Sequence, residues 1–558
     1  MSLQFITGNS GNGKTKYLFN RIVKEAKANP RDNYLVIVPE QFTMQTQRQL
    51  VDLSENKAIM NIDVLSFKRL AYRVFDELGI TNLTVLEETG KNLVLRKLAA
   101  QEADKLGVIG RNLNRIGYIS EVKSLLSELV QYNISPEELG RYIASGSLSD
   151  TLSDKLKDVL VLYEAFEKFM QDKYITAEEI LNVLSNVAEE SAILRNSVIA
   201  FDEFTGFTPI QNQLIKKLFV ISKKIYVTLT IDCREDIFKS RGMQELFDMP
   251  KRTVKSLTEM AAFYGIEVEE PIILDKNYRL AENEELRFME QQLFRKRRCS
   301  FKKAPKHIHI DCLRDPKQEL TKIARRINEL VRNENLRYRD IAIVTGDVNI
   351  YAGYVREIFD KYNIPYFIDA TQEILFHPFI EFIRSIPDIA AQNFSADAVF
   401  RFLRCGFSEL LDSEIDVLEN YVLACGVRGK SAWDKKWVRL PKHKAGYDIE
   451  LLNQSREYIM ELLKPVYQVF SDKKSTVKDY VLGIYNLTVS LDIPDKLAKK
   501  EQALLDAGDQ TASKEYGQIY KIVMQLFEKY VAVLGDECMD AEEFTQILDA
   551  GLDAADVA

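Results

Sequence analysis

Eight residues near the start of the chain, Gly8-Asn9-Ser10-Gly11-Asn12-Gly13-Lys14-Thr15, follow the pattern G-x-x-x-x-G-K-[ST]. An apolar stretch, Leu3-Gln4-Phe5-Ile6-Thr7, runs into them as a short strand, and a helix-prone run from Lys14 to Ala28 leaves them. Strand, glycine-rich turn and helix, in that order, are the context the pattern needs. The glycines let the turn fold back so that backbone N–H groups converge on a polyphosphate at a helix N-terminus. Gly8, Gly11 and Gly13 are the candidate cradle, with Lys14 reaching the β- and γ-phosphates of a nucleotide. The Thr15 hydroxyl would complete a Mg²⁺ shell. A strand ending in such a turn belongs to a parallel α/β sheet, which sets the fold class of at least this part of the chain.

The next residues continue the alternation: strand 34–38, helix 42–53, strand 60–64 and helix 66–78. Connections of that length imply parallel strands. From about 87 to 190 the apolar residues recur at helical spacing, as in NLVLRKLAA, VKSLLSELV and LVLYEAFEKFM. Strands return at Val198–Phe201, Ile225–Leu229 and Ile272–Leu274. The simplest organisation is one α/β domain built from 1–85 and 191–295, interrupted by a helical insertion at 86–190. A basic segment, Arg295-Lys296-Arg297-Arg298 through Lys302-Lys303, then reads as a solvated linker, with phosphate contact as the alternative. Beyond it a second α/β set opens over 296–380, with strands at 307–313, 340–345 and 366–368 and helices at 316–332 and 349–361. Residues 381–558 are again largely helical. A chain of 558 residues suits about three or four such domains.

Composition narrows the function classes. The net charge of -8 argues against a generally basic nucleic-acid coat and leaves open a local groove, because recognition follows the distribution of charge. No stretch of about 18 uncharged apolar residues is available to span a bilayer, and no early run resembles a signal peptide. Six scattered cysteines without a C-x-x-C pair point to reduced thiols in the cytoplasm. His307 and His309 share one face of an expected strand, a spacing more often structural than metal-binding, and no zinc site is expected.

A phosphate loop needs carboxylates. Val198-Ile199-Ala200-Phe201-Asp202-Glu203 supplies two at a strand's C-terminal end, where ligands bind in open α/β sheets. Asp202 is the candidate metal-side residue, with Thr15, and Glu203 the candidate base. The longer stretch Asp202-Glu203-Phe204-Thr205-Gly206-Phe207-Thr208-Pro209-Ile210-Gln211 resembles the D-E-[FY]-Q-D-x-x-x-x-Q motif of superfamily 1, UvrD-like helicases. Leu274-Asp275-Lys276-Asn277-Tyr278-Arg279 resembles their L-x-x-N-Y-R motif, which implies that Arg279 faces the γ-phosphate. Asp340-Ile341-Ala342-Ile343-Val344 and Tyr362-Asn363-Ile364-Pro365-Tyr366 resemble the opening of their second motor domain, and the helical blocks fall at their 1B and 2B insertions. The implied fold is α/β, P-loop helicase-like, with parallel sheets and large helical insertions.

Within that superfamily, Val38-Pro39-Glu40-Gln41-Phe42-Thr43, the Phe201–Pro209 stretch, Phe288-Met289-Glu290-Gln291-Gln292-Leu293-Phe294 and Ile364–Asp369 with His377-Pro378 look like the AddB family. These are the B subunits of bacterial helicase–nucleases that process double-strand breaks for recombination. The resemblance covers the whole chain and roughly the first half of such a subunit. It implies ATP and Mg²⁺ as cofactors, an AddA-type partner subunit, and single-stranded and double-stranded DNA ends as substrates, in the bacterial cytoplasm on nucleoid DNA. The nuclease domain and its [4Fe–4S] cluster would lie outside this sequence, and none of its six cysteines is assigned to that cluster. The resemblance further places Gln41, Thr43, Phe67, Arg69, Tyr72 and Phe207 in a channel that reads single-stranded DNA, including the Chi signal. Aromatic rings stack on unpaired bases, and Arg and Gln bind phosphates or base edges. Phe67 and Tyr72 equally fit the apolar face of an amphipathic helix with Leu70 and Val74.

The departures from a motor matter as much. The glutamine motif upstream of the P-loop is missing, and Thr230-Ile231-Asp232-Cys233 stands where motors carry G-D-x-x-Q. Three readings stay open: an ATP-binding DNA reader within a larger complex, an autonomous ATP-driven translocase, and a scaffold with a structural nucleotide site.

Overall fold

Strand β1 (Ser2–Gly8) is buried along almost its whole length because it lies inside a parallel sheet with neighbours on both sides. A computed structural model describes all residues except 81–84, 109, 111–117, 146–147, 171–173, 296–298, 370–371, 375, 442–446, 473, 554–555 and 558. The chain divides into two compact units: residues 1–86, 124–148 and 167–311 form the first, and 87–123, 149–166 and 312–558 the second.

The first unit is built on a seven-stranded parallel sheet. Its strands are β1, β2 (Tyr34–Ile37), β3 (Ile62–Leu65), β4 (Val198–Phe201), β5 (Lys224–Thr230), β6 (Glu267–Val268) and β7 (Ile272–Leu274). They lie in the order β3-β2-β4-β5-β1-β6, with β7 also pairing β1. Alternate residues of each strand go to opposite faces, and both faces are covered, so the strands read as nearly continuous apolar runs. Phe5, Ile37, Phe201 and Leu229 pack into one layer, while Ile6, Val36, Ala200 and Tyr226 pack into the other with Leu18, Phe19 and Ile22. The crossover helices are α1 (Lys14–Ala28), α2 (Thr43–Leu53), α3 (Phe67–Leu78) and α4 (Pro209–Ile221). α5 (Asp248–Phe263) and α6 (Glu284–Gln292) follow. α4 starts sharply because Thr208 and Gln211 form a reciprocal capping box ahead of Pro209. A short parallel pair, Val85–Leu86 with Ile175–Thr176, brackets the helical stretch between β3 and β4. Periodicity had no purchase on two-residue strands.

The second unit is predominantly helical, around a core that includes Phe379, Phe382, Trp433, Ile459, Tyr480 and Phe544. Its helices α7 (Pro316–Asn333) and α8 (Asn349–Lys361) pack through Leu320, Ala324, Ile327, Ile358 and Phe359. The expected strands at 307–313, 340–345 and 366–368 do not form: Asp340 ends a short 3-10 helix, and none of these segments pairs with another strand among the described residues. Ile341 and Ile368 pack against α7 and α8, but Ile310, Val344 and Phe367 are almost fully exposed. The alternation of a strand is present in the residues, yet a strand exists only when a neighbour takes its backbone hydrogen bonds.

His377 opens α9 (Pro378–Ala391) and is buried. Its Nδ1 accepts the Phe379 N–H at 3.0 Å, and its ring stands edge-on to Tyr516 at 4.4 Å. Burial pushes its pKa down to about 4 from 6.5, so the folded protein keeps it neutral. The unfolded chain takes up a proton first as pH falls, so stability should decline from about pH 6.5 towards pH 4, by up to about 3 kcal/mol. His377→Asn, which retains a capping acceptor, should flatten that part of the profile of melting temperature against pH. Identical profiles for the two proteins would contradict it.

Candidate nucleotide-binding site

The glycine-rich turn between β1 and α1 has the geometry its sequence calls for. Gly11 and Gly13 take the left-handed conformation, with φ of 83° and 80°, which side chains other than glycine rarely adopt. At Gly8 the obstacle is contact: an added Cβ would sit 2.5 Å from the Leu274 carbonyl oxygen of β7. Lys14 Nζ donates to the carbonyls of Gly8 and Asn9, each at 3.1 Å. Its pKa is lowered chiefly by burial, with the Glu203 and Asp202 carboxylates opposing the shift.

Asp202 and Glu203 come to the loop from the end of β4. Asp202 is 1% exposed and accepts hydrogen bonds from Thr228 and, at 3.3 Å, from Thr15 Oγ1. Burial raises its pKa, and the Glu203 charge adds to the effect, against the hydrogen bonds from Thr228 and Thr15. Glu203 is held at φ 64°, a strained conformation for a side chain of this kind, and its Oε1 also lies 3.3 Å from Thr15 Oγ1. One hydroxyl proton cannot serve both carboxylates. The second oxygen of Asp202, Oδ2, is buried with no partner among the described residues. The carboxylates of Asp202 and Glu203 and the Thr15 hydroxyl, with Asp202 Oδ2 still unpartnered, form a hard-oxygen donor set that fits Mg²⁺.

Residues 277–279 close the loop from the other side. Asn277 Nδ2 donates to the Ser10 carbonyl at 2.9 Å, and the backbone N–H groups of Tyr278 and Arg279 donate to the Gly11 carbonyl at 3.0 and 3.2 Å. This brings Arg279 to the phosphate loop, with its Cβ only 2.9 Å from where a Gly11 Cβ would stand. Tyr278 presents a ring that is 64% exposed beside Gly13, and it belongs to the site although only its neighbour Arg279 was a candidate from sequence. Lys14, Thr15, Asp202, Glu203, Tyr278 and Arg279 line one cavity of about 750 Å³, which extends to Gln45 and Gln49 of α2.

The candidate DNA-reading residues follow three adjacent strands, β2, β3 and β4, at their C-terminal ends. Glu40 joins two of these segments, since its carboxylate accepts from Ser66 Oγ at 2.9 Å and pairs with Arg69 at 3.5 Å. Gln41, Arg69 and Tyr72 are exposed. Thr43 is buried, with its hydroxyl on the Glu40 carbonyl, and Phe67 is buried in a cluster with Phe201, Phe204 and Phe207. Phe207 is half-buried in that cluster. The loop from Asp202 to Phe207 therefore touches the phosphate loop at one end and the aromatic cluster at the other.

A family profile described as "ADDB, N-terminal" matches residues 5–290. The chain belongs to the AddB family. Its curated relatives include the B subunit of the ATP-dependent helicase/deoxyribonuclease of Lachnoclostridium phytofermentans, 38% identical over 567 residues, covering 100% of this chain and 49% of the relative. Proteins of the same name from Caldanaerobacter subterraneus and Clostridioides difficile are 32% identical over 570 residues and 31% identical over 567. They are covered to 49% each, by 100% and 99% of this chain. The chain thus spans about half the length of the curated relatives it matches.

Two features of this AddB-family chain escaped sequence reasoning. The basic segment is not a solvated linker at its first residue: the Arg295 side chain is 11% exposed, 2.9 Å from Asp232 and over the Phe247 ring at 4.7 Å. Residues 296–298 of that segment lie outside the described residues. Asp232, just past β5, is buried between Arg234 and Arg295. Burial alone would raise its pKa, but the hydrogen bonds from the two arginines hold it well below the usual carboxylate range. Nothing local marked this pairing, because Asp232 and Arg295 are 63 residues apart in the chain. Among the described residues no group of three or more His, Cys, Asp or Glu is placed to hold a metal ion. Among them, too, no helix is long and apolar enough to cross a membrane.

Proposed function

We propose that this chain binds ATP with Mg²⁺ at its phosphate loop and reads single-stranded DNA, including the Chi signal, along the adjoining strand ends. It would do so as part of the AddB component of a two-subunit helicase–nuclease, beside an AddA-type subunit, on broken DNA ends under repair by recombination. The observation that carries the reading is the convergence of Lys14, Thr15, Asp202, Glu203 and Arg279, from separate stretches of chain, on one cavity. The loop amides and Lys14 bind the phosphates, and Arg279 offers a second cation to them. Thr15 and Asp202 would hold Mg²⁺, which supplies positive charge against the phosphate oxygens when bound. Glu203 is positioned to orient a water molecule.

The same convergence supports the rival reading of an ATP-driven motor. The engagement of Asp232 by two arginines favours the reader, because the residue that stands where motors carry their coupling motif is taken up in an ion pair. ATP turnover by the full-length B subunit alone, with and without single-stranded oligonucleotide, distinguishes them. The reader binds both ligands without DNA-stimulated turnover; stimulated turnover abolished by Lys14→Ala would establish the motor instead. Binding of nucleotide without any DNA affinity would leave only the scaffold.

A further inference from the structure

We propose that Glu290, held in place by Arg295, is a positioning residue for the phosphate loop and acts through the side chain of Asn9. The proposal rests on reading the loop as a nucleotide site. A loop with three glycines in six residues has little conformational preference of its own, and ordering it is entropically expensive, so side-chain anchors must define its shape. Asn12 supplies one, donating to the Leu274 carbonyl at 2.6 Å. Asn9 supplies the other and is 4% exposed. Its Oδ1 accepts the Cys233 N–H just past β5 at 2.9 Å, and its Nδ2 donates to Glu290 Oε1 on α6 at 3.0 Å. An amide with a donor required at one end and an acceptor at the other has one satisfied orientation. Because the Asn9 backbone carbonyl also accepts from Lys14 Nζ, fixing this residue bears on where the lysine sits.

Arg295 braces the acceptor. It donates to the Glu290 carbonyl at 3.4 Å, approaches Glu290 Oε1 to 3.8 Å and binds Asp232 at 2.9 Å. Arg234 binds the same Asp232 and the Gln291 carbonyl. The contacts close a ring through the phosphate loop, the end of β5, the last turn of α6 and the turn after it. Within that ring the two roles of Glu290 conflict. Its Oε1 is the acceptor Asn9 needs, but its carboxylate, hydrogen-bonded to a side chain of the phosphate loop, would repel a polyphosphate held there. Its second oxygen, Oε2, is buried without a partner among the described residues. A neutral acceptor of the same shape would keep the anchor and remove the repulsion.

Calorimetric titration of ATP with Mg²⁺ into the wild type, Glu290→Gln, Glu290→Leu, Asn9→Ala and Lys14→Ala tests this. Melting temperatures without ligand are recorded in parallel. Glu290→Leu and Asn9→Ala should each weaken binding about tenfold, a loss of about 1.4 kcal/mol, and the double variant should be no weaker than either alone. Glu290→Gln should bind at least as tightly as the wild type. A purely structural role predicts instead that Gln and Leu lower the melting temperature while both leave affinity alone, and that result overturns the proposal. If Glu290→Leu fails to fold, Asn9→Ala against Glu290→Gln decides: equal affinities overturn it. Wild-type binding lost in Lys14→Ala but unchanged in the other variants also overturns it while upholding the nucleotide site. No ATP binding by the wild type defeats both.

Discussion

Lys14→Ala should abolish the rise in melting temperature that ATP with Mg²⁺ produces in the native chain. A ligand at a hundred times its Kd stabilises the folded state by about 2.7 kcal/mol. For a unit the size of the first one, that is a shift of several degrees. Lys14 already places its Nζ inside the loop, on the Gly8 and Asn9 carbonyls, and a charge-assisted hydrogen bond to phosphate is worth about 1.5–3 kcal/mol. Losing two such bonds weakens binding by roughly a hundredfold or more, which removes the shift at the same ligand concentration. The comparison is between shifts with and without ligand, so a change in baseline stability cancels. An undiminished shift in the variant would show that the nucleotide binds elsewhere. Chelation of Mg²⁺ should reduce the shift in the wild type, because the phosphate charge would then face Asp202 and Glu203 without a counter-ion.

Gln41→Ala, Arg69→Ala and Tyr72→Ala, combined, should weaken binding of a single-stranded oligonucleotide by about ten- to a hundredfold. Base stacking on an aromatic ring is worth about 1–3 kcal/mol, and one lost phosphate contact should lower the slope of log K against log salt by about 0.7. These three are exposed on the segments that follow β2 and β3, so their removal tests contact with little disturbance of the core. Phe67 and Phe207 are unsuitable for that purpose. Both belong to the aromatic cluster, and truncating the buried Phe67 would cost about 3–5 kcal/mol of stability. Fluorescence anisotropy over a salt series measures affinity and slope together. Affinity within twofold of wild type would remove this surface from the DNA path.

Both predictions use residues recognisable in the amino-acid sequence, and the reason is physical. The phosphate loop is a local device: eight consecutive residues set its backbone freedom, and the flanking strand and helix follow from nearest-neighbour pattern. The same holds for β4. Strands 340–345 and 366–368 show the limit of pattern. Ile341 and Ile368 face α7 and α8 as alternation demands, but Val344 and Phe367 face solvent, and no partner strand among the described residues takes the backbone groups. Alternation reports a face, whereas pairing depends on residues elsewhere in space.

The linkage of Asp232 with Arg295, and of Asn9 with Glu290, belongs to the same class. Asn9 and Glu290 are 281 residues apart and meet only because β1, β5 and α6 converge at one end of the sheet. By itself, then, the sequence determined that this chain has a phosphate loop in a parallel α/β sheet, with two carboxylates following a later strand. Only the tertiary structure decided that Thr15 stands between Asp202 and Glu203, that Tyr278 joins the site, and that Arg295 is buried in an ion pair. Covalent spacing governs the first set of facts. The second depends on which distant segments exclude water together, and a single chain's local pattern does not encode that.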